Sequence, residues 1–178
     1  MHFNSRIFIL PGLGSSGPGH WQSVWEKEHP EFTRIDQQDW ETPVCEDWIS
    51  HLNEILGEKD LSDVILVGHS LACSTIAFWA GKYKRTVKGA LLVAPSDTEA
   101  ESYPTGTSGF SPLPLDTLIF PTIVVTSTDD RYVTVERVTA FADAWGSRLI
   151  NVGKAGHINT EAGFGEWNEG LALLKELD

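Results

Sequence analysis

The run Asp63-Val64-Ile65-Leu66-Val67-Gly68-His69-Ser70-Leu71-Ala72 constrains this chain more than any other stretch. Val64 to Val67 are uninterrupted branched apolar residues, the pattern of a parallel strand buried on both faces. A small-residue helical pattern follows at once, with Cys73, Ser74, Thr75, Ala77 and Ala80. Ser70 therefore sits where a buried strand must reverse sharply into a helix. That is the layout of a nucleophile elbow, in which a strained turn lifts a serine hydroxyl clear of the sheet. Strand and helix backbones pass close together at such a turn, so its neighbours must be small. Gly68 meets that need, and Ala72 departs from the usual glycine by one methyl. The plainer reading is a strand–loop–helix in which Ser70 is only a helix cap. The rest of the chain decides between the two.

Length and charge set outer limits. A chain of 178 residues, 41% hydrophobic with seven Trp, fits one domain (residues 1–178) with a sizeable core. Thirteen Lys and Arg stand against 25 Asp and Glu, a net charge of −12. Such a surface repels phosphate backbones and anionic lipid heads, so neither nucleic acid nor membrane is an expected partner. Cys45 and Cys73 form no metal-ligand spacing and are expected to be free thiols, as in a reducing cytoplasm. Met1 to Arg6 lacks the apolar region of a signal peptide, and no stretch approaches a membrane span. The expected location is cytoplasmic, as a monomer or small homo-oligomer.

In chain order, Arg6-Ile7-Phe8-Ile9-Leu10 reads as a strand broken by Pro11-Gly12. A Gly-rich loop leads to a helix from His20 to His29, and Phe32 to Asp36 is a second strand. A helix opening at Glu46 or Asp47 carries Trp48, Ile49, Leu52, Ile55 and Leu56 at helical spacing and stops at Gly57. After the elbow strand and its helix, to about Tyr83, come a strand from Val87 to Ala94 and a loop from Ser96 to Asp116. A strand at Thr122 to Ser127, a helix from Val133 to Trp145, a strand at Arg148 to Val152 and a helix from Glu166 to Leu177 complete the chain. This alternation predicts an α/β fold: a three-layer α/β/α sandwich with a mainly parallel six-stranded sheet and right-handed crossovers. Chemistry in such sheets gathers at the carboxyl ends of the strands.

A serine hydroxyl needs a base, and histidine titrates in the right range. Of six histidines, His2 and His29 lie near element ends and read as solvated. His51 falls on the polar face of a helix, and His20 belongs to a helix N-terminal turn. His69 should point away from the Ser70 hydroxyl. His157, in Gly153-Lys154-Ala155-Gly156-His157-Ile158-Asn159, follows the last strand, where chain order Ser…Asp…His places the base. The bland reading makes it a surface-loop histidine.

A carboxylate must orient that histidine. Asp129 and Asp130 compete after the fifth strand. The spacing to the following helix favours Asp130, which leaves Asp129 to the turn; Asp97 is a weaker rival, and in the bland reading both Asp residues merely cap a helix. An oxyanion needs two N–H donors. Leu71, after the serine, supplies one, and Leu13 is preferred over Gly14 for the other. Gly12, Gly14, His69 and Phe110 are candidates for touching substrate, and the segment from Ser96 to Asp116, with Tyr103, Phe110 and Leu113, could form a partial lid.

Two other classes compete. Gly12-x-Gly14-x-x-Gly17 after a strand, with Asp36 farther on, imitates a dinucleotide fingerprint. Pro18-Gly19, however, delays the helix that would have to meet a pyrophosphate. A protein-interaction scaffold would be favoured by an exposed patch of Trp21, Trp40 and Trp167.

With Pro-Gly-Leu-Gly-Ser, His20-Trp21-Gln22, Trp25-Glu26, Asp39-Trp40, Gly68-His69-Ser70, Asp129-Asp130-Arg131-Tyr132-Val133, Gly146-Ser147 and Gly156-His157-Ile158-Asn159, the chain resembles a family nearly end to end. These are the small serine hydrolases of the α/β-hydrolase fold that include YdeN and the retinoblastoma-binding protein 9. The resemblance implies a minimal, cap-less core and a triad of Ser70, Asp130 and His157. Members of the family are similar in having poorly defined natural substrates. The expectation from the residues themselves is acyl transfer on small carboxylic esters, with thioesters or amides as further candidates and no metal or other cofactor. Arg131 stands where the family pattern has proline.

Overall fold

The computed structural model describes residues 1–58 and 60–178. Its elements are β1 (Arg6–Leu10), α1 (Trp21–Glu28), β2 (Thr33–Arg34), α2 (Cys45–Leu56), β3 (Val64–His69), α3 (Leu71–Tyr83), β4 (Gly89–Val93), β5 (Thr122–Thr126), α4 (Val135–Trp145), β6 (Arg148–Asn151) and α5 (Asn168–Leu177). The strands form one sheet in the order β2-β1-β3-β4-β5-β6, and every pairing is parallel. β3 therefore lies inside the sheet with β1 and β4 as neighbours, and all six of its residues are buried.

Side chains alternate across the sheet, and each face has its own core. Val64, Leu66, Leu92 and Val124 pack with α2, α3 and α4, where Trp48, Ile76, Trp79 and Trp145 fill the layer. Ile65, Val67, Leu91 and Val125 pack with α1 and α5 through Trp21, Trp25 and Leu174. The result is the expected three-layer sandwich. Among the described residues no helix is long and apolar enough to cross a membrane.

Boundaries differ from expectation where tertiary contacts decide them. α2 opens at Cys45, before Glu46, because Val44 bridges Ser108 and the Cys45 N–H donates to Ser108 O at 2.8 Å. α4 opens at Val135, after Val133, because Thr134 caps it, its hydroxyl accepting from the Arg137 N–H. α5 begins at Asn168, with Trp167 in a left-handed conformation before it. β2 is only two residues long, as an edge strand can be. His29 is buried and stacks on Phe32, with Phe3 edge-on at 5.7 Å, so it is not the solvated residue expected.

Cys45 and Cys73 are both free and buried. Trp21 and Trp167 are buried and packed edge to face at 5.1 Å, and Trp40 is partly covered. These tryptophans belong to the interior and form no exposed patch. α1 starts three residues beyond Pro18, so the fingerprint glycines lie outside it and cannot present its N-terminus to a phosphate.

Candidate active site

Ser70 follows β3 with φ 56° and ψ −122°, a left-handed conformation that is strained for any residue with a Cβ. Two glycines make this turn possible. A Cβ on Gly68 would stand 2.9 Å from Ile76 Cδ1 and 3.2 Å from the Ala72 carbonyl carbon. A Cβ on Gly12 would stand 2.7 Å from His69 O and 2.9 Å from Ser70 Cβ. Gly12 thus lets the loop after β1 lie directly on the turn. Buried Gln22 secures that loop: its amide donates to Leu10 O at 3.0 Å and its carbonyl accepts from the Ser16 hydroxyl at 2.7 Å.

The loop after β6 brings His157 to the same place. Its Nε2 lies 2.9 Å from Ser70 Oγ, and its Nδ1 lies 2.8 Å from Asp130 Oδ2. An ionised carboxylate can only accept, so Nδ1 carries the proton and the Nε2 lone pair faces the serine hydroxyl. The Asp130 side chain is fully buried, and its second oxygen accepts from the Tyr132 N–H at 2.9 Å. Asp129 does different work. It accepts from the Gly156 N–H at 2.8 Å and the Ala155 N–H at 2.9 Å, bonds that hold its carboxyl below the usual range and tie the His157 loop to the end of β5. Asp97 is turned away, held by Nε and Nη2 of Arg137 at 2.8 and 3.0 Å.

Two further imidazoles stand behind His157. His69 Nε2–H donates to His157 O at 2.9 Å, and burial, with His157 beside it, holds His69 well below the usual imidazole range. His20 caps α1 through Nδ1, which accepts from the Gln22 N–H at 3.2 Å. Burial, then the neighbouring His157 and Arg34, lowers His20 to about 3. Both are neutral at pH 7.

Ser70 opens into a cavity of about 170 Å³. Leu13, His20, His69 and His157 line it, with Ser96, Tyr103 and Pro104 from the connection after β4. Of the residues expected to touch substrate, His69 lines this cavity. Gly12 and Gly14 shape the loop beneath it instead, and the Gly14 N–H is already donated to Trp40 O at 2.9 Å. Phe110 is elsewhere: it is 2% exposed and packs edge-on against Trp48 and Phe78. Its ring is large and apolar and the core claims it, and Leu113 is buried there too. Among the described residues, no acceptor is found for the N–H groups of Leu13 and Leu71; Leu71 directly follows Ser70, and Leu13 lines the same cavity as Ser70. No group of three or more His, Cys, Asp or Glu among the described residues is arranged to hold a metal ion.

A residue absent from the sequence-based candidates completes the surroundings. Ser96, 1% exposed, places its hydroxyl oxygen 2.7 Å from Ser70 Oγ. Its only sequence signal is its position just beyond an interior strand.

The Serine hydrolase family model matches residues 7–176. The chain belongs to the serine hydrolase family. A structure from Pectobacterium atrosepticum described as YdeN-like is similar, with 33% identity and a TM-score of 0.84, covering 96% of this chain and 89% of that one. The ydeN gene product of B. subtilis has 18% identity and a TM-score of 0.77, with 98% of each chain covered. A butyrate-bound esterase of Thermogutta terrifontis shares the fold at 18% identity and a TM-score of 0.65, over 98% of this chain and 82% of that one. No curated protein matches the sequence. Family and fold together make this chain a hydrolase of the α/β-hydrolase type.

Proposed function

We propose that this chain is a serine esterase working by acyl transfer without metal, with Ser70 as nucleophile, His157 as general base and Asp130 as its orienting carboxylate. The observation that carries the reading is the continuous Ser70–His157–Asp130 contact, 2.9 and 2.8 Å, at a strained elbow. His157 takes the Ser70 proton as Oγ attacks the acyl carbonyl. The N–H groups of Leu71 and Leu13 hold the oxyanion, a role that the donated Gly14 N–H cannot fill. His157 then returns the proton to the leaving group and next activates water. A cavity smaller than the roughly 300 Å³ and above of drug-sized sites favours a short acyl group. The Thermogutta terrifontis esterase that shares the fold was solved with butyrate bound, a short acyl chain of the kind proposed here. Two buried thiols suit a reducing compartment, and the reading places the protein in the cytoplasm as one catalytic domain.

Labelling with a fluorescent fluorophosphonate tests the reading. Wild type should label, while folded Ser70→Ala and His157→Ala should not. A folded wild type that refuses the probe overturns catalysis and moves the protein to the scaffold reading; labelling that survives Ser70→Ala identifies a different nucleophile.

A further inference from the structure

The hydroxyl of Ser96 has no part in the Ser–His–Asp relay, yet it touches the reacting oxygen. Because Nδ1 of His157 is spent on Asp130, the single Ser70 hydrogen points to Nε2 at 2.9 Å. Ser70 Oγ can then only accept from Ser96, 2.7 Å away, so Ser96 is the donor. This placement is built into the backbone. Ala94, at the end of β4, holds φ 48°, a left-handed conformation rare for a residue with a Cβ, and its N–H is fixed to Val125 O at 2.8 Å. Ser70 and Ala94 are thus strained positions at the ends of paired neighbouring strands, and together they aim the two hydroxyls at each other. Next in the chain, the Asp97 N–H donates to Tyr132 O at 2.9 Å, and its carboxylate is held by Arg137, which leaves Ser96 little freedom.

Given Ser70 as nucleophile, we propose that Ser96 is a further catalytic residue, whose hydroxyl speeds the expulsion of Ser70 from the acyl-enzyme. The effect is asymmetric between the two half-reactions. Before acylation Ser70 Oγ is a hydroxyl oxygen, already a good acceptor, so the Ser96 bond is worth nearly as much in the ground state as in the transition state. In the acyl-enzyme Oγ is an ester oxygen and accepts poorly. When water adds to the carbonyl carbon, His157 takes its proton. The tetrahedral intermediate then breaks its bond to Oγ, and the electron pair goes to Oγ as His157 returns the proton there. Ser96 keeps its own proton and donates a hydrogen bond that strengthens as charge gathers on Oγ. Only interactions stronger in the transition state than in the ground state accelerate a step. Ser96 therefore acts on deacylation.

Stopped-flow hydrolysis of p-nitrophenyl butyrate, with mass spectrometry of the quenched protein, tests this. Ser96→Ala should keep the p-nitrophenol burst within about threefold of wild type while steady-state turnover falls about tenfold to a hundredfold, the worth of a hydrogen bond to a charged oxygen. Butyryl-enzyme should accumulate in that variant. Ser96→Thr, which retains the hydroxyl, should deacylate at close to the wild-type rate. Ser96→Cys, of similar volume with a weaker donor, should lie between and carries the test if the alanine variant does not fold. Equal slowing of burst and turnover, unchanged deacylation in Ser96→Ala, or a threonine variant as slow as alanine would each overturn the proposal. A wild type that forms no acyl-enzyme on Ser70 overturns the nucleophile assignment itself. An acyl-enzyme on Ser70 that empties equally fast without the Ser96 hydroxyl overturns only this inference.

Discussion

At the scale of single residues, the site is a set of polar atoms whose alternatives have been removed. Among the described residues Asp130 is the carboxylate that meets His157 Nδ1, while Asp129 is spent on the Ala155 and Gly156 amides and Asp97 on Arg137. Asp130→Asn should therefore find no substitute. The amide can present N–H to Nδ1 and stabilise the wrong tautomer, so kcat for p-nitrophenyl butyrate should fall about 10³- to 10⁴-fold with KM little changed. A loss below tenfold would mean that another group orients His157. Gly12 is as constrained by space as Asp130 is by charge. In Gly12→Ala the new methyl meets His69 O and Ser70 Cβ, both of which belong to the turn that aims the nucleophile. Overpacking of this kind costs about 1–3 kcal/mol, and urea unfolding should show it together with lost fluorophosphonate labelling. A stable, fully reactive Gly12→Ala would show that the loop can move off the elbow.

At the scale of elements, strands carry the residues and loops assemble them. Asp129 is the instructive case, since it pins the His157 loop without touching His157. Asp129→Ala frees the Ala155 and Gly156 N–H groups, and the loop should then sample orientations in which Nε2 misses Ser70. We expect kcat to fall about tenfold, in keeping with the sensitivity of catalysis to small misplacements, with KM nearly unchanged and Asp129→Asn, which keeps an acceptor, recovering part of the loss. An unaltered kcat in Asp129→Ala would remove the carboxylate from this role. Much of this assembly was legible in the sequence. Val64 to Val67 has nothing polar to place in water, so the burial of β3 was readable from the residue pattern. The turn at Ser70 and the loops holding Asp130 and His157 were readable only from the order of strands and helices and from the family resemblance. What could not be read depends on contacts between distant segments. The start of α2 is set by Ser108, sixty-odd residues on, and Phe110 was drawn from the cavity by Trp48 and Phe78. Ser96 carries no motif, and only the pairing of β3 with β4 reveals what its hydroxyl meets.

At the scale of the whole molecule, the site sits on a reserve of buried neutral imidazoles that ties stability to pH. His20 is lowered to about 3 and His69 well below the usual range, both chiefly by burial, whereas an unfolded histidine titrates near 6.5. Between those limits the unfolded chain binds a proton that the folded chain refuses. Stability is thus fully present above about pH 6.5 and declines as pH falls toward the folded-state value, by roughly 1.4 kcal/mol per pH unit for each such histidine. Against a total of about 5–15 kcal/mol this is a substantial share, so stability should fall measurably as pH drops below about 6.5. His20→Asn isolates one share of the effect. Asparagine caps a helix well and does not titrate, so the Gln22 N–H keeps an acceptor while one proton-linked group disappears. At neutral pH the variant should be slightly less stable than wild type, having lost the packing of the ring against His69 and Trp21. As pH falls the gap should close and then reverse, because wild type loses stability at two histidines and the variant at one. Urea midpoints taken across this range decide the matter: a difference that stays constant with pH would mean His20 titrates alike in the folded and unfolded chains, and the acid sensitivity would then have to come from His69 and the carboxylates.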